Sequence, residues 1–114
     1  MQDIIKHIEY KGEQLPLVYN LNVMEQIQEQ YGTLQKWADL VSKDEPKIKD
    51  IKFGIMAMIN EGIDIENEER DDKKAFITEK QIGRILTEIG LENAIQNVVD
   101  LQVKSTETEQ SKNA

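Results

Sequence analysis

The most acidic stretch of the chain is DIENEERDD, residues 64–72, and carboxylates at alternate positions are the ligands that calcium-binding loops use. Placing Asp64 at the first position of such a loop puts Glu66 at the third. Glu69 then occupies the position that requires glycine, and Ala75 occupies the position that requires a bidentate glutamate. Because the pattern fails at both positions, the run is predicted to be a solvated or partner-seeking loop, with no metal site.

The side chains that most often perform catalysis are scarce. His7 is the only histidine, and it lies in a predicted strand where no neighbouring residue would orient it as a base or complete a metal site. The chain has no cysteine, and no serine lies in a nucleophile elbow. The six glycines are too scattered for a phosphate-binding loop. The sequence therefore predicts no catalytic residue, no cofactor and a protein that is not an enzyme.

Residues 78–99, TEKQIGRILTEIGLENAIQNVV, have the order of a helix-turn-helix motif: a capped helix, a glycine turn and a second helix. A recognition helix must contact phosphates and base edges. The exposed positions of the second helix include Glu92, Asn93 and Asp100, with no cation before Lys104. Packing of two amphipathic helices is therefore favoured, and a small DNA-binding regulator is the alternative function.

Composition limits the class of partner. The 114 residues carry a formal net charge of −8, which disfavours binding to nucleic acids and to anionic membrane surfaces. No apolar run approaches the roughly 18 residues that a membrane-spanning helix needs. The N-terminal residues MQDIIKHIEY lack the apolar core of a signal peptide. These features predict a cytoplasmic protein.

Residues 4–20 alternate between apolar and polar side chains, as half-buried strands do. Ile4 and Ile8 share one face, and Lys11-Gly12 is a turn signal. Pro16 marks the second strand as an edge. The segment predicts a small β-hairpin that must pack on the helices or pair with another chain.

The rest of the chain has the period of amphipathic helices, about five of them. Asn22 is a candidate N-cap for the first, with Glu25 completing a capping box. Thr33 is a candidate cap for the second, and Thr78 caps a later helix.

The helix predicted at Ile48–Asn60, IKDIKFGIMAMIN, is apolar around most of its circumference and should lie at the centre of the fold. Pro46 suits its first turn, and Gly62 suits a left-handed cap at its end. Gly54 and Gly83 lie inside predicted helices, which indicates close helix–helix approach at both positions.

These patterns predict a mainly α protein with a small N-terminal β-hairpin and about five helices in one compact domain, residues 1–103. From Lys104 onwards the segment KSTETEQSKNA has no apolar residue except the final alanine. Residues 104–114 are therefore predicted to be a disordered polar tail.

Three segments, LVYNLNVMEQIQEQYGTLQKW, INEGIDIENEE and FITEKQIGRILTEIG, together resemble the tail assembly chaperones of long-tailed bacteriophages. The sequence is most similar to the versions found in Gram-positive phages and in prophages of the PBSX-like and skin-element type. The resemblance covers most of the chain outside residues 104–114 and contains no catalytic signature. The family's members are small, largely helical and oligomeric.

The resemblance implies a non-catalytic role. Such chaperones coat the tape measure protein while the tail tube polymerises around it, act in the cytoplasm of the host cell and are absent from the mature virion. Many are made in two lengths by ribosomal frameshifting, and the longer form contacts the tail tube protein. This chain would be the shorter form, and Ser111-Lys112-Asn113 can be encoded by a slippery heptamer.

An acidic helical domain is compatible with transient capture of apolar helices in a groove. Candidate partner-binding residues are Met24, Trp37, Met56 and Met58, because methionine and aromatic side chains adapt to varied partners. The alternative is that each of these side chains belongs to the core. The edge of the hairpin is a second candidate contact, by strand addition to a neighbouring copy.

Overall fold

The computed structural model describes the backbone of residues 4–113 and the side chains of residues 5–104. In this range two strands precede five helices: β1 Ile4–Tyr10, β2 Glu13–Tyr19, α1 Leu21–Tyr31, α2 Leu34–Ser42, α3 Ile48–Asn67, α4 Glu79–Ile89 and α5 Leu91–Asn113. The prediction of a mainly α fold with an N-terminal hairpin and about five helices is confirmed.

The hairpin is antiparallel, and its register pairs Ile8 with Leu15 across the strands. Lys11 and Gly12 form the two-residue turn, with φ of 52° and 79°. Two consecutive left-handed residues give the turn whose twist matches that of the flanking strands. The predicted turn at these residues is therefore confirmed.

Strand β2 is buried on both faces, although Pro16 lies within it. Leu17 points into the core, while Pro16 and Val18 contact α3 at Gly62. A Cβ at Gly62 would come within 2.6 Å of the Pro16 Cβ and 3.2 Å of the Val18 Cγ2. The glycine therefore allows the backbone of α3 to lie directly on the strand.

The predicted end of the central helix is wrong. Gly62 lies inside α3, which continues to Asn67. The apolar stripe continues through Ile63, which is buried, so packing outweighs the low helix propensity of glycine. At the other end, Pro46 precedes the N-cap residue Lys47 and is not part of the first turn.

The predicted caps are confirmed at two helices and wrong at one. Thr33 accepts from the Lys36 N–H at 3.0 Å, and Thr78 forms the expected capping box with Gln81. Helix α1, however, is capped by Asn20, whose Oδ1 accepts from the Val23 N–H at 3.2 Å. Asn22 lies inside the first turn and donates instead to Glu61 of α3, as Asn20 also does.

The core surrounds α3, whose buried isoleucines, including Ile51, Ile55 and Ile59, pack among apolar side chains from the hairpin and the other helices. The ring of Trp37 lies directly on the backbone at Gly54, so this glycine is required by close packing, although the neighbour is a side chain of α2 and not the backbone of a second helix. At Gly83 an added Cβ would meet only the Lys52 side chain, at 3.7 Å, so the predicted close helix approach is wrong at this position.

The segment between α3 and α4 is held along α3 by two asparagines. Asn60 Oδ1 accepts from the Ile77 N–H at 2.7 Å, and its Nδ2 donates to the Ile77 carbonyl at 3.1 Å. Asn67 contacts the Lys74 backbone in the same way, at 2.9 Å and 3.0 Å. Each asparagine side chain thus pairs with both the N–H and the carbonyl of one residue in the connecting segment, as the backbone of a neighbouring strand would.

Helix α5 continues to Asn113, whereas the composition predicted a disordered tail from residue 104. Residues 104–113 contain neither glycine nor proline, so nothing in this segment terminates a helix that is already formed. The division of the chain into a domain of residues 1–103 and a tail of residues 104–114 stays a prediction.

Candidate functional site

The four candidate partner-binding residues occupy different environments. Trp37 and Met58 are 0% exposed and belong to the core, so their assignment to a partner surface is wrong. Met24 and Met56 are half-buried and pack against the edge of the core. Only Met56 among the four lines a surface cleft described below.

Trp37 has a structural role that its burial makes clear. Its Nε1 donates to the backbone carbonyl of Asp50 at 3.0 Å. The indole therefore satisfies its one donor while its ring covers Gly54, and it fixes α2 against the first turns of α3.

An apolar groove lies where the start of α3 meets the junction of α4 and α5. Its volume is about 280 Å³, and we call it the corner groove; it is lined by Ile48, Gly83, Leu86, Thr87, Gly90 and Leu91. Ile48 is 58% exposed and Leu91 is 38% exposed, which leaves apolar surface open to solvent on two sides of the groove.

Two glycines create the corner groove. Gly83 presents no side chain, and Gly90 ends α4 with a φ of 89° that turns the chain directly into α5. The sequence analysis treated Ile48 as the first residue of an apolar central helix and so did not predict the groove. The feature of the sequence that could have indicated the groove is Gly90, a helix-ending glycine between two amphipathic helices.

A second cleft opens between α1, α3 and α4. Its volume is about 220 Å³, and we call it the α1–α3 cleft; it is lined by Gln30, Tyr31, Lys49, Asp50, Lys52, Phe53, Met56 and Glu79. Tyr31 and Phe53 meet edge to face, with ring centroids 5.6 Å apart. The lining combines aromatic and apolar walls with charged groups.

The carboxylate of Asp50 is the least expected charge in this cleft, because the residue is only 3% exposed. The Tyr31 O–H donates to its Oδ1 at 2.8 Å. Burial of the phenol, this hydrogen bond and the nearby negative charge all raise the pKa of Tyr31 well above its ordinary value. Tyr31 is therefore a fixed donor to Asp50 at neutral pH.

Two ion pairs connect elements that are distant in sequence. Lys6 of β1 contacts Asp100 of α5 at 2.9 Å, and the hydrogen bond from Lys6 is the main cause that lowers the pKa of the Asp100 carboxyl. Lys52 of α3 contacts Glu79 of α4 at 3.6 Å, on the rim of the α1–α3 cleft. The first pair holds the hairpin against the last helix.

The described residues contain no group of three or more histidine, cysteine or acidic side chains that could hold a metal ion. In the acidic run, Glu66 contacts Lys74 at 3.7 Å. None of the described helices is both long enough and apolar enough to cross a lipid bilayer.

The helix pair tested as a helix-turn-helix motif is present as α4 and α5, joined at Gly90. Glu92 and Asn93 are exposed on α5, and the cations Lys80 and Arg84 are exposed on α4. DNA binding stays the alternative prediction, and it requires salt-sensitive affinity that a gel shift at low salt would detect.

Comparisons of this chain with protein-family models, with curated proteins and with solved structures found no match.

Proposed function

We propose that this protein is a non-catalytic tail assembly chaperone of a phage or prophage, which binds apolar helices of the tape measure protein in the host cytoplasm. The resemblance of the three sequence segments is the origin of the proposal. The observation that supports it best is the corner groove, an apolar depression on the surface of a small acidic domain.

The corner groove is suited to a helix. Ile48 of α3 and Leu91 of α5 expose apolar surface on two sides of the groove, and Gly83, which has no side chain, leaves space in its lining. An amphipathic helix inserts apolar residues of one face into such a groove and leaves its polar face in solvent. The net charge of −8 keeps the chaperone and its cargo soluble while apolar surface is covered.

The proposal also includes self-association and, through a longer frameshifted form, contact with the tail tube protein. Self-association and contact with the tail tube protein are both proposed only from the resemblance in sequence. The gene itself provides a first check, because a tail tube gene should lie upstream and a very long tape measure gene downstream.

Co-expression tests the function. The tape measure protein encoded downstream should be largely insoluble when expressed alone and soluble when co-expressed with this chain. If the tape measure protein is equally insoluble with and without the chain, the proposed function is wrong. A second, unrelated insoluble helical protein serves as the control for general effects on solubility.

A further inference from the structure

Strand β1 forms an open edge of the hairpin. In an antiparallel pair, opposite residues alternate between pairs that exchange hydrogen bonds and pairs that do not. Pro16 has no N–H to donate, so its pair with His7 is of the second kind. The backbone N–H and C=O groups of His7 therefore point away from β2, and by the same alternation so do those of Ile5 and Glu9. None of the described residues forms a hydrogen bond with these outward groups.

The two edges of the hairpin differ in how they are protected. On the outer edge of β2, Pro16 lacks a donor and lies against α3 at Gly62. Strand β1 is paired regularly along its whole length, so it contains no bulge, and it contains no proline. Proline and bulges are common means of blocking an edge strand. The edge of β1 has neither, and it is free to accept a further strand.

The register of β1 suits an antiparallel copy of itself. The three residues with outward backbone groups are centred on His7, so a two-fold axis at this residue places His7 opposite His7 and Ile5 opposite Glu9. Every outward N–H and C=O group then has a partner. Sliding the copy by two residues in one direction opposes Lys6 with Lys6, which like charges disfavour. Sliding it the other way places Ile5 opposite the turn residue Lys11.

The side chains of β1 are compatible with the same register. The chain has a net charge of −8, but Lys6 and Glu9 balance within this strand, so no like charges stand opposite each other. Ile5 is 51% exposed. In the paired strands Glu9 of the second copy lies directly opposite Ile5 and His7 lies diagonally, so their side chains cover this apolar surface.

From these features we infer that β1 pairs with β1 of a second copy of this chain, antiparallel and centred on His7, so that two hairpins form one four-stranded sheet. The inference deepens the proposed function, on which it rests for the self-association of the chaperone. The surface and the register come from the hairpin itself.

Single cysteines test the interface and its register, because the chain has no cysteine of its own. His7→Cys places two thiols on opposite residues, with Cα atoms about 5.5 Å apart, a distance that a disulfide spans. Glu9→Cys is the matched control: Glu9 is also exposed on β1, but its two copies lie four positions apart along the strands, about 14 Å. Under mild oxidation His7→Cys should form a covalent dimer at least about tenfold faster than Glu9→Cys. Equal rates, or no His7→Cys dimer, would overturn the inference.

Light scattering after gel filtration gives a second readout at high micromolar concentration. The original chain should be a dimer, and so should His7→Ala, which keeps the outward N–H. His7→Pro removes that N–H and leaves the pairing with β2 intact, so it should be a monomer. A monomeric original chain, or a dimeric His7→Pro variant, would overturn the inference. If His7→Pro fails to fold, the cysteine comparison still decides.

Failure of this interface is distinguishable from failure of the proposed function. A chain that dimerises through β1 but leaves the tape measure protein insoluble would retain the interface and reject the chaperone function. A monomeric chain that keeps the tape measure protein soluble would reject only the interface.

Discussion

Gly54 and Gly83 have the same residue type and the same helical setting, yet the structure gives them opposite roles. Gly54 lies under the indole of Trp37, where no Cβ fits without displacing a rigid ring. Gly83 lies beneath the end of a flexible lysine side chain at ordinary contact distance. One glycine is therefore required by packing, and the other is not.

Alanine substitutions at these two positions should move stability in opposite directions. Gly54→Ala should lower the free energy of unfolding by about 1–3 kcal/mol, because the core is overpacked against Trp37. Gly83→Ala should raise it by about 0.4–1 kcal/mol, since alanine restricts the unfolded chain and the native helix accepts it. Urea unfolding followed by tryptophan fluorescence measures both, and a stabilised Gly54→Ala variant would contradict the packing described for Trp37.

Tyr31 should not ionise near the ordinary pKa of tyrosine. Its raised folded-state pKa means that its contribution to stability is complete below about pH 10 and is lost as pH rises further. Absorbance titration of tyrosinate should therefore give the same curve for the original chain and for Tyr31→Phe up to about pH 11. An additional tyrosine titrating in the original chain near its ordinary pKa would show that the Tyr31–Asp50 contact is absent.

The contacts and burial of individual side chains were the hardest features to predict from the sequence. The capping box at Thr78 was predicted because its partner lies three residues away. Asn20 and Asn22 have equally good cap chemistry, so the sequence could not distinguish them. In the structure Asn20 is the cap, and both side chains donate to Glu61 of α3, a contact that local sequence does not reveal. Trp37 and Met58 could not be distinguished from surface residues by type or spacing alone.

At the scale of elements, α3 and the acidic segment that follows it form one unit. The helix presents Asn60 and Asn67, seven positions apart along its sequence, to the backbone of the returning chain. These contacts, together with the half-buried side chain of Ile77, hold a segment that is otherwise exposed and rich in charged residues. Asparagine suits the task because its amide both donates and accepts.

Removal of either asparagine side chain should release its own contact and leave the other. In Asn60→Ala the amide of Ile77 should exchange faster with solvent, and in Asn67→Ala the amide of Lys74 should do so, because each loses its acceptor. Each variant is the control for the other, and exchange is read by nuclear magnetic resonance. Equal acceleration at both amides in either variant would mean that the segment opens as a whole and that the two contacts are not independent.

Element types followed from the sequence, as did the helix starts after Thr33 and Thr78, but the ends of α3 did not. The hairpin was predicted from alternation and the Lys11-Gly12 turn, both of which are local. The end of α3 was misplaced because Gly62 was taken as a stop, whereas it lies inside the helix to accommodate Pro16 of β2. The position of a strand that is distant in sequence cannot be read from the helix itself.

At the scale of the whole molecule, the corner groove brings together Ile48 and Leu91, two of the six large apolar side chains that are exposed among the described residues. The corner groove needs the start of α3, the end of α4 and the start of α5 together, so no window of sequence predicts it. The α1–α3 cleft likewise combines residues from three helices. The sequence analysis therefore missed most of both sites. Met56 is the one predicted partner-binding residue that lines either of them.

The corner groove predicts which surface change should weaken partner binding. Ile48→Glu places a charge on the groove without disturbing the core, since Ile48 is 58% exposed. Leu21→Glu is the matched control, because Leu21 is 65% exposed on α1 and does not line the groove. Both variants should have the helix content and the unfolding midpoint of the original chain.

Co-purification of the tape measure protein with affinity-tagged versions of this chain tests whether the corner groove binds that protein. The original chain and Leu21→Glu should each recover the tape measure protein in similar amounts, and Ile48→Glu should recover much less. Recovery by none of the three, or equal recovery by all three, would contradict an account in which this domain shields apolar helices in the corner groove.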